Sequence, residues 1–80
     1  LIAVEVAMTS AHEQANIEKD FSLAKAEFVF IGCRDEKVLN EVNEIIKELS
    51  GEMRIKTRAL LLARLLNMGP EHLIIMKTFY

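Results

Sequence analysis

The stretch EFVFIGCRDEKVLNEVNEIIKELSGEMRIK, residues 27–56, decides how the chain is read. It opens on an apolar run, Phe28-Val29-Phe30-Ile31, that closes at Gly32; aromatic and β-branched residues in such a run suit a strand buried on both faces. Asp35 then stands where a helix N-cap belongs. Val38, Val42, Ile45, Ile46 and Leu49 recur on one helical face, while Glu41, Lys47 and Glu48 fall elsewhere. Gly51 is expected to close that helix as its C-terminal cap. In MRIKTR, residues 53–58, Met53, Ile55 and Thr57 alternate with Arg54, Lys56 and Arg58, which is the period of a strand. The stretch therefore predicts strand, helix, strand.

The alternation continues on both sides. LIAVEVAM, residues 1–8, is apolar and β-branched, and Ser10 with Glu13 forms a Ser-x-x-Glu capping box that opens a helix through about Lys25. ALLLARLLNM, residues 59–68, predicts a further helix. HLIIMKTFY, residues 72–80, predicts a last strand after the Gly69-Pro70 break. Strands and helices in this order predict a parallel α/β architecture with right-handed crossovers, a partial Rossmann-like sheet. An all-α helical bundle is the competing reading, because Ile17, Phe21, Ala24, Phe28 and Ile31 are spaced for one continuous helix over residues 11–31.

Composition bounds what such a chain can be. Eighty residues, 51% hydrophobic and 28% charged, make one small globular domain, or a piece of a larger α/β domain, and the start at Leu1 points to a fragment or a processed product. No apolar run approaches the roughly 18 residues of a membrane span. A single cysteine, Cys33, forms no internal disulfide, and no secretory signal opens the chain, so a cytoplasmic location is expected. Residues 1–51 hold five Lys/Arg against ten Asp/Glu, a balance of −5; residues 52–80 hold five against two, a balance of +3. Neither half builds a strong basic patch, and there is no strong nucleic-acid signal.

LAKAEFVFIGCRDEKVLNEVNEIIKELSGEMRIK resembles the second strand, following helix and third strand of the short-chain dehydrogenase/reductase family. Members often read Leu-Ala-Lys, an apolar strand, Cys-Arg-Asp, and a helix closing in Glu-x-x-x-x-Gly; the resemblance covers about residues 9–57. It implies an NADP-binding Rossmann half-domain from an NADP-dependent oxidoreductase family. By the family's pattern, Arg34 matches the Arg that meets the 2′-phosphate of NADP, Asp35 follows it at the helix-capping position, and Thr9 and Ser10 fall in the pyrophosphate turn. A guanidinium fork is physically suited to that phosphate. The chain departs from the family at the Thr-Gly-x-x-x-Gly-x-Gly turn: Thr9 is in place, but Ser10, Gln14 and Asn16 stand where glycines belong. The Tyr-x-x-x-Lys pair and its Ser are also missing, since Lys77 and Tyr80 have the wrong order and spacing, so no complete dehydrogenase site is expected.

Other constellations carry less. His12 and His72 lack metal-ligand spacing, and Met53, Met68 and Met76 read as core fillers. Cys33 at a strand end reads as a small buried residue rather than a nucleophile. ARLLNMGPEHL, residues 63–73, faintly resembles a helix-turn-helix, whose second helix offers only Lys77 as a base. The remaining alternative is a non-catalytic interaction or oligomerisation module. Glu5, inside a strand expected to be central, needs a partner, because an unpaired buried carboxylate costs several kcal/mol. Finally, one-directional right-handed crossovers put the first two helices on one sheet face, which leaves the other face short of cover and predicts self-association through it.

Overall fold

A computed structural model describes residues 2–67 and, as backbone, residues 75–79. The elements are β1 (Ile2–Ala7), α1 (Glu13–Ser22), β2 (Phe28–Cys33), α2 (Glu36–Lys47), α3 (Gly51–Ile55), β3 (Thr57–Leu61), α4 (Leu62–Leu66) and β4 (Ile75–Phe79). All pairings are parallel and the strand order is β3-β2-β1-β4. This is a partial Rossmann-like α/β fold, with β1 and β4 adjacent at the point where the strand order reverses. The all-α reading fails at β2, which pairs with β1 through Phe28 to Cys33 and with β3 through Val29 to Cys33. A run of two Phe, a Val and an Ile satisfies its backbone by laddering on both edges, at the expense of the helical spacing it also happens to fit.

The two sheet faces are covered unequally. Ala3, Ala7, Val29, Ile31 and Cys33 form the core face together with Ile17 of α1 and Val38, Val42 and Ile46 of α2, followed by Leu49. Each of these aliphatic side chains is worth about 1.5 to 3 kcal/mol when fully buried, so α2, with three of them, is the strongest anchor on that face. Ile2, Val4, Phe30 and Leu60 point the other way, where α4 meets them through Leu62 and Leu65. The reversal of direction between β3 and β4 accounts for this, because a right-handed crossover running the opposite way must pass over the opposite face. Phe28, at the start of β2, keeps 45% of its surface exposed.

Several local expectations are corrected. Ser10 and Glu13 do not form a capping box: Ser10 Oγ donates to Glu41 Oε1 at 3.1 Å, Glu13 turns inward, and the helix starts at Glu13 with His12 as an N-cap that makes no side-chain bond. The helix also stops at Ser22, short of Lys25, whose φ of 54° ends any continuation. Gly51 does not cap α2. That helix ends at Glu48 in ordinary helical geometry, Leu49 drops into the core, and Gly51 instead starts α3 without a positive φ.

MRIKTR is likewise helical in its first half. The Arg54 N–H donates to Ser50 O at 2.8 Å and the Lys56 N–H to Glu52 O at 3.2 Å, so Met53 to Ile55 wind through one turn and Ile55 is left exposed. The third strand begins four residues later than expected, at Thr57, in register with Val29. It takes Ala59, Leu60 and Leu61 from the stretch expected to be helical and leaves only Leu62–Leu66 for α4. An Ala-Leu run favours helix in isolation, but two apolar faces and an open ladder on β2 outweigh that preference. The Gly69-Pro70 break and His72 lie outside the described residues.

Candidate functional site

In sheets of this kind ligands meet the carboxyl ends of the strands near the reversal of strand order. Two turns define that edge here, Met8 to His12 after β1 and Arg34 to Asp35 after β2. They are tied together, because the Arg34 N–H donates to Ala7 O at 3.0 Å. The Ala11 N–H lies 3.4 Å from Thr9 Oγ1, and the Ser10 bond to Glu41 fastens the first turn to α2.

Asp35 has the backbone geometry of an N-cap, extended at φ −151° and ψ 178°, and its Oδ1 accepts the Val38 N–H at 2.9 Å. That bond, more than the nearby Arg34, holds the carboxylate below its usual range, against the opposing effect of burial. Arg34 Nε lies 3.3 Å from Asp35 Oδ2 with 59% of its side chain exposed. An exposed neighbour pair of this kind is worth little and leaves the guanidinium available to an incoming anion.

The four residues expected to contact a cofactor therefore share one edge of the sheet. They do not share one cavity. A shallow depression of about 320 Å³ lies between α1 and α2, lined by Ser10, Ala11, His12, Gln14, Ala15, Glu18 and Ile45, and it includes neither Thr9, Arg34 nor Asp35. The residues standing in place of glycines shape this region: Gln14 is exposed in the depression, Asn16 is half-buried, and the Ser10 side chain is held by Glu41. A dinucleotide pyrophosphate needs close backbone approach here, which these side chains obstruct. The Arg34 end suits a phosphate; the glycine-dependent end does not.

A second constellation lies beneath the first turn. Glu5 of β1 and Glu13 and Asp20 of α1 are all buried together. Glu5 was legible as a carboxylate in a central strand, but its partners were not. The available signal was the spacing of Glu13, Ile17 and Asp20, which places two acids on the inward stripe of α1. Cys33 is buried at the core, its Sγ 3.9 Å from Ile31 O, and burial, followed by the charges of Glu13 and Asp35, pushes its thiol up to about 11. Such a thiol is a poor nucleophile. No group of three or more His, Cys, Asp or Glu among the described residues is arranged to hold a metal ion, and no helix among them is long and apolar enough to cross a membrane.

The fold and this edge define the class: a parallel α/β chain of partial Rossmann-like topology. No family model matches the sequence, and comparison with curated proteins and with solved structures returns no match.

Proposed function

We propose that the chain is a degenerate NADP-binding half-domain of the short-chain dehydrogenase/reductase type, one that retains a nucleotide-phosphate contact without a complete oxidoreductase centre. The observation that carries this reading is the position of Arg34: exposed at the carboxyl end of β2, bonded through its backbone to the exit of β1, and following a strand flanked by β1 and β3 in a sheet ordered as the first half of a dinucleotide-binding fold. The NADP 2′-phosphate is the anion that distinguishes it from NAD, and a bidentate guanidinium matches its geometry. Thr9 and Ser10 stand where the pyrophosphate turn falls. With side chains in place of glycines, the adenosine-phosphate end supplies most of the affinity, and binding is weak. A buried cysteine without a disulfide suits a cytoplasmic setting.

Isothermal titration with NADPH and NADH tests this. NADPH is expected to bind more tightly, and Arg34→Ala is expected to remove about 1.5 to 3 kcal/mol of that preference, the worth of a charge-assisted hydrogen bond. Equal affinities in the parent chain, or an unchanged preference in the variant, would take Arg34 out of the site.

A second reading is favoured by the other sheet face, where α4 covers Val4 but Phe28 stays 45% exposed. We place self-association there, with apolar strand residues meeting those of a second copy. Sedimentation at micromolar concentration should give a dimer that Phe28→Ser converts to monomer; a monomeric parent chain ends this reading. Helix-turn-helix recognition of DNA is the weakest alternative, and a loss-of-mobility assay with duplex DNA is its test.

A further inference from the structure

In the order β3-β2-β1-β4, β3 stands at one end of the sheet, so one of its two backbone edges has no strand beside it. The ladder fixes which groups that edge presents. The Val29 N–H donates to Lys56 O at 3.0 Å while Val29 pairs with Thr57, and in a parallel ladder a strand turns alternate residues toward its neighbour. Lys56, Arg58 and Leu60 therefore bond to β2 through their backbone, and Thr57 and Ala59 turn their N–H and C=O groups outward. An edge of this kind is a ready template for an added strand.

The side chains around the edge carry one sign of charge. Ala59, Leu60 and Leu61 are half-buried, and Arg58, the charged residue of β3, is exposed. Its Nη1 donates to Thr57 O at 3.0 Å and to Ile55 O at 3.1 Å, so the guanidinium occupies a carbonyl oxygen to which an incoming N–H would bond. The helices α3 and α4, which precede and follow β3 and rest against it, add the exposed Arg54 and Arg64. Residues 52–67 hold four Lys/Arg against one Glu, and the bridge from Lys56 to Glu52 leaves the three arginines out. A second copy of β3 laid along this edge would bring like charges together, which is destabilising across a ladder. An acidic strand would meet opposite charge.

We propose that the outer edge of β3 is a docking edge for an extended acidic segment of a partner protein, which joins the four-stranded sheet as a fifth strand. Main-chain bonds to Thr57 and Ala59 hold the segment, and Arg58 selects it. The guanidinium gives up Thr57 O to a partner N–H and takes a partner carboxylate in exchange, a charge-assisted contact stronger than the one it leaves. A neutral or basic strand would displace the guanidinium without replacing its bond, so discrimination rests on what the wrong strand loses as well as on what the right one gains. Arg34 follows β2 and lies off this edge, so nucleotide binding there is a separate event.

NMR titration of the isotope-labelled 80-residue chain with a blocked Thr-Val-Glu-Val-Glu-Val-Thr peptide, and with the same peptide carrying Lys in place of Glu, tests the edge. At low salt the acidic peptide is expected to bind at least about tenfold more tightly than the basic one, a gap that closes as salt rises. The outward amides of Thr57 and Ala59 are expected to shift and to gain protection from exchange, while those of Arg58 and Leu60, already bonded to β2, keep theirs. Arg58→Glu should reverse the preference between the peptides. Ala59→Pro removes an outward N–H without touching a bond to β2, and it should abolish binding. Absence of a shift at Ala59 at millimolar peptide, equal affinity for the two peptides, or shifts confined to the Arg34 turn overturns the proposal. Concentration-dependent protection of Ala59 without peptide also overturns it, since the edge then takes a second copy. If Ala59→Pro does not fold, the reversal by Arg58→Glu decides, because that side chain is exposed.

Discussion

Ile31→Asp is expected to unfold the chain. Ile31 has no exposed surface and sits at the middle of β2, paired on one side with Glu5 and on the other with Ala59. The substitution removes about 1.5 to 3 kcal/mol of apolar burial. It also places a fourth carboxyl in the layer that already holds Glu5, Glu13 and Asp20, where no cation among the described residues is buried to receive it. An uncompensated buried carboxylate costs several kcal/mol more. The stability of a domain of this size is only about 0.05 to 0.15 kcal/mol per residue, so the sum exhausts it. Far-UV circular dichroism and amide dispersion in NMR spectra check the outcome: a chain that keeps native dispersion at neutral pH would show that the layer around β2 is open to water. Ile31→Val, which removes one methylene, should cost only about 0.5 to 1.5 kcal/mol and serves as the conservative control.

Gly32→Val should cost about 2 to 3 kcal/mol, the upper range for overpacking a core contact. Gly32 lies within β2, between Val6 and Leu60 in the ladder, with α4 resting directly on it. A Cβ there would lie 2.9 Å from both Leu62 Cδ1 and Leu65 Cδ2, and 3.4 Å from Leu62 Cα. The leucine methyl groups can swing aside, so Gly32→Ala should be mild. The Val branches instead drive toward the α4 backbone, which cannot move without lifting the helix off the sheet. Urea denaturation measures the loss, and the double variant Gly32→Val with Leu65→Ala should recover part of it, because the second change vacates the space the first demands. Additive losses in the double variant would mean that α4 does not rest on Gly32. Lifting α4 also uncovers Val4, so a Gly32→Val chain should show greater self-association than its parent.

The two expectations separate the halves of the fold. Ile31 reports the face on which α1 and α2 lie, and Gly32, its chain neighbour, reports the face that α4 shares with Phe28 and Phe30. A period of two along β2 makes this separation possible.

What the amino-acid sequence determined by itself was local. The strands around Val4 and Ile31 follow from apolar runs, and α2 follows from the spacing of Val38, Val42 and Ile46 behind an Asp35 cap whose bond spans three residues. Each of these signals is complete within one or two helical turns or one strand. The edge that carries Thr9, Ser10, Arg34 and Asp35 was legible for the same reason, since strand order and turn position follow once the alternation is read. Only the tertiary structure decided the rest. The boundaries of β3 depend on which residues find Val29 and Cys33 across the ladder, a pairing that overrode both the alternation of Met53 to Thr57 and the helical preference of Ala59 to Leu61. Glu13 had a local partner in Ser10, yet its side chain is buried on the inward face of α1, in the layer that also holds Glu5, while Ser10 found Glu41, 31 residues away. Local capping is worth about 1 kcal/mol, whereas docking a helix on a sheet commits several buried side chains at once, so the long-range arrangement wins wherever the two conflict.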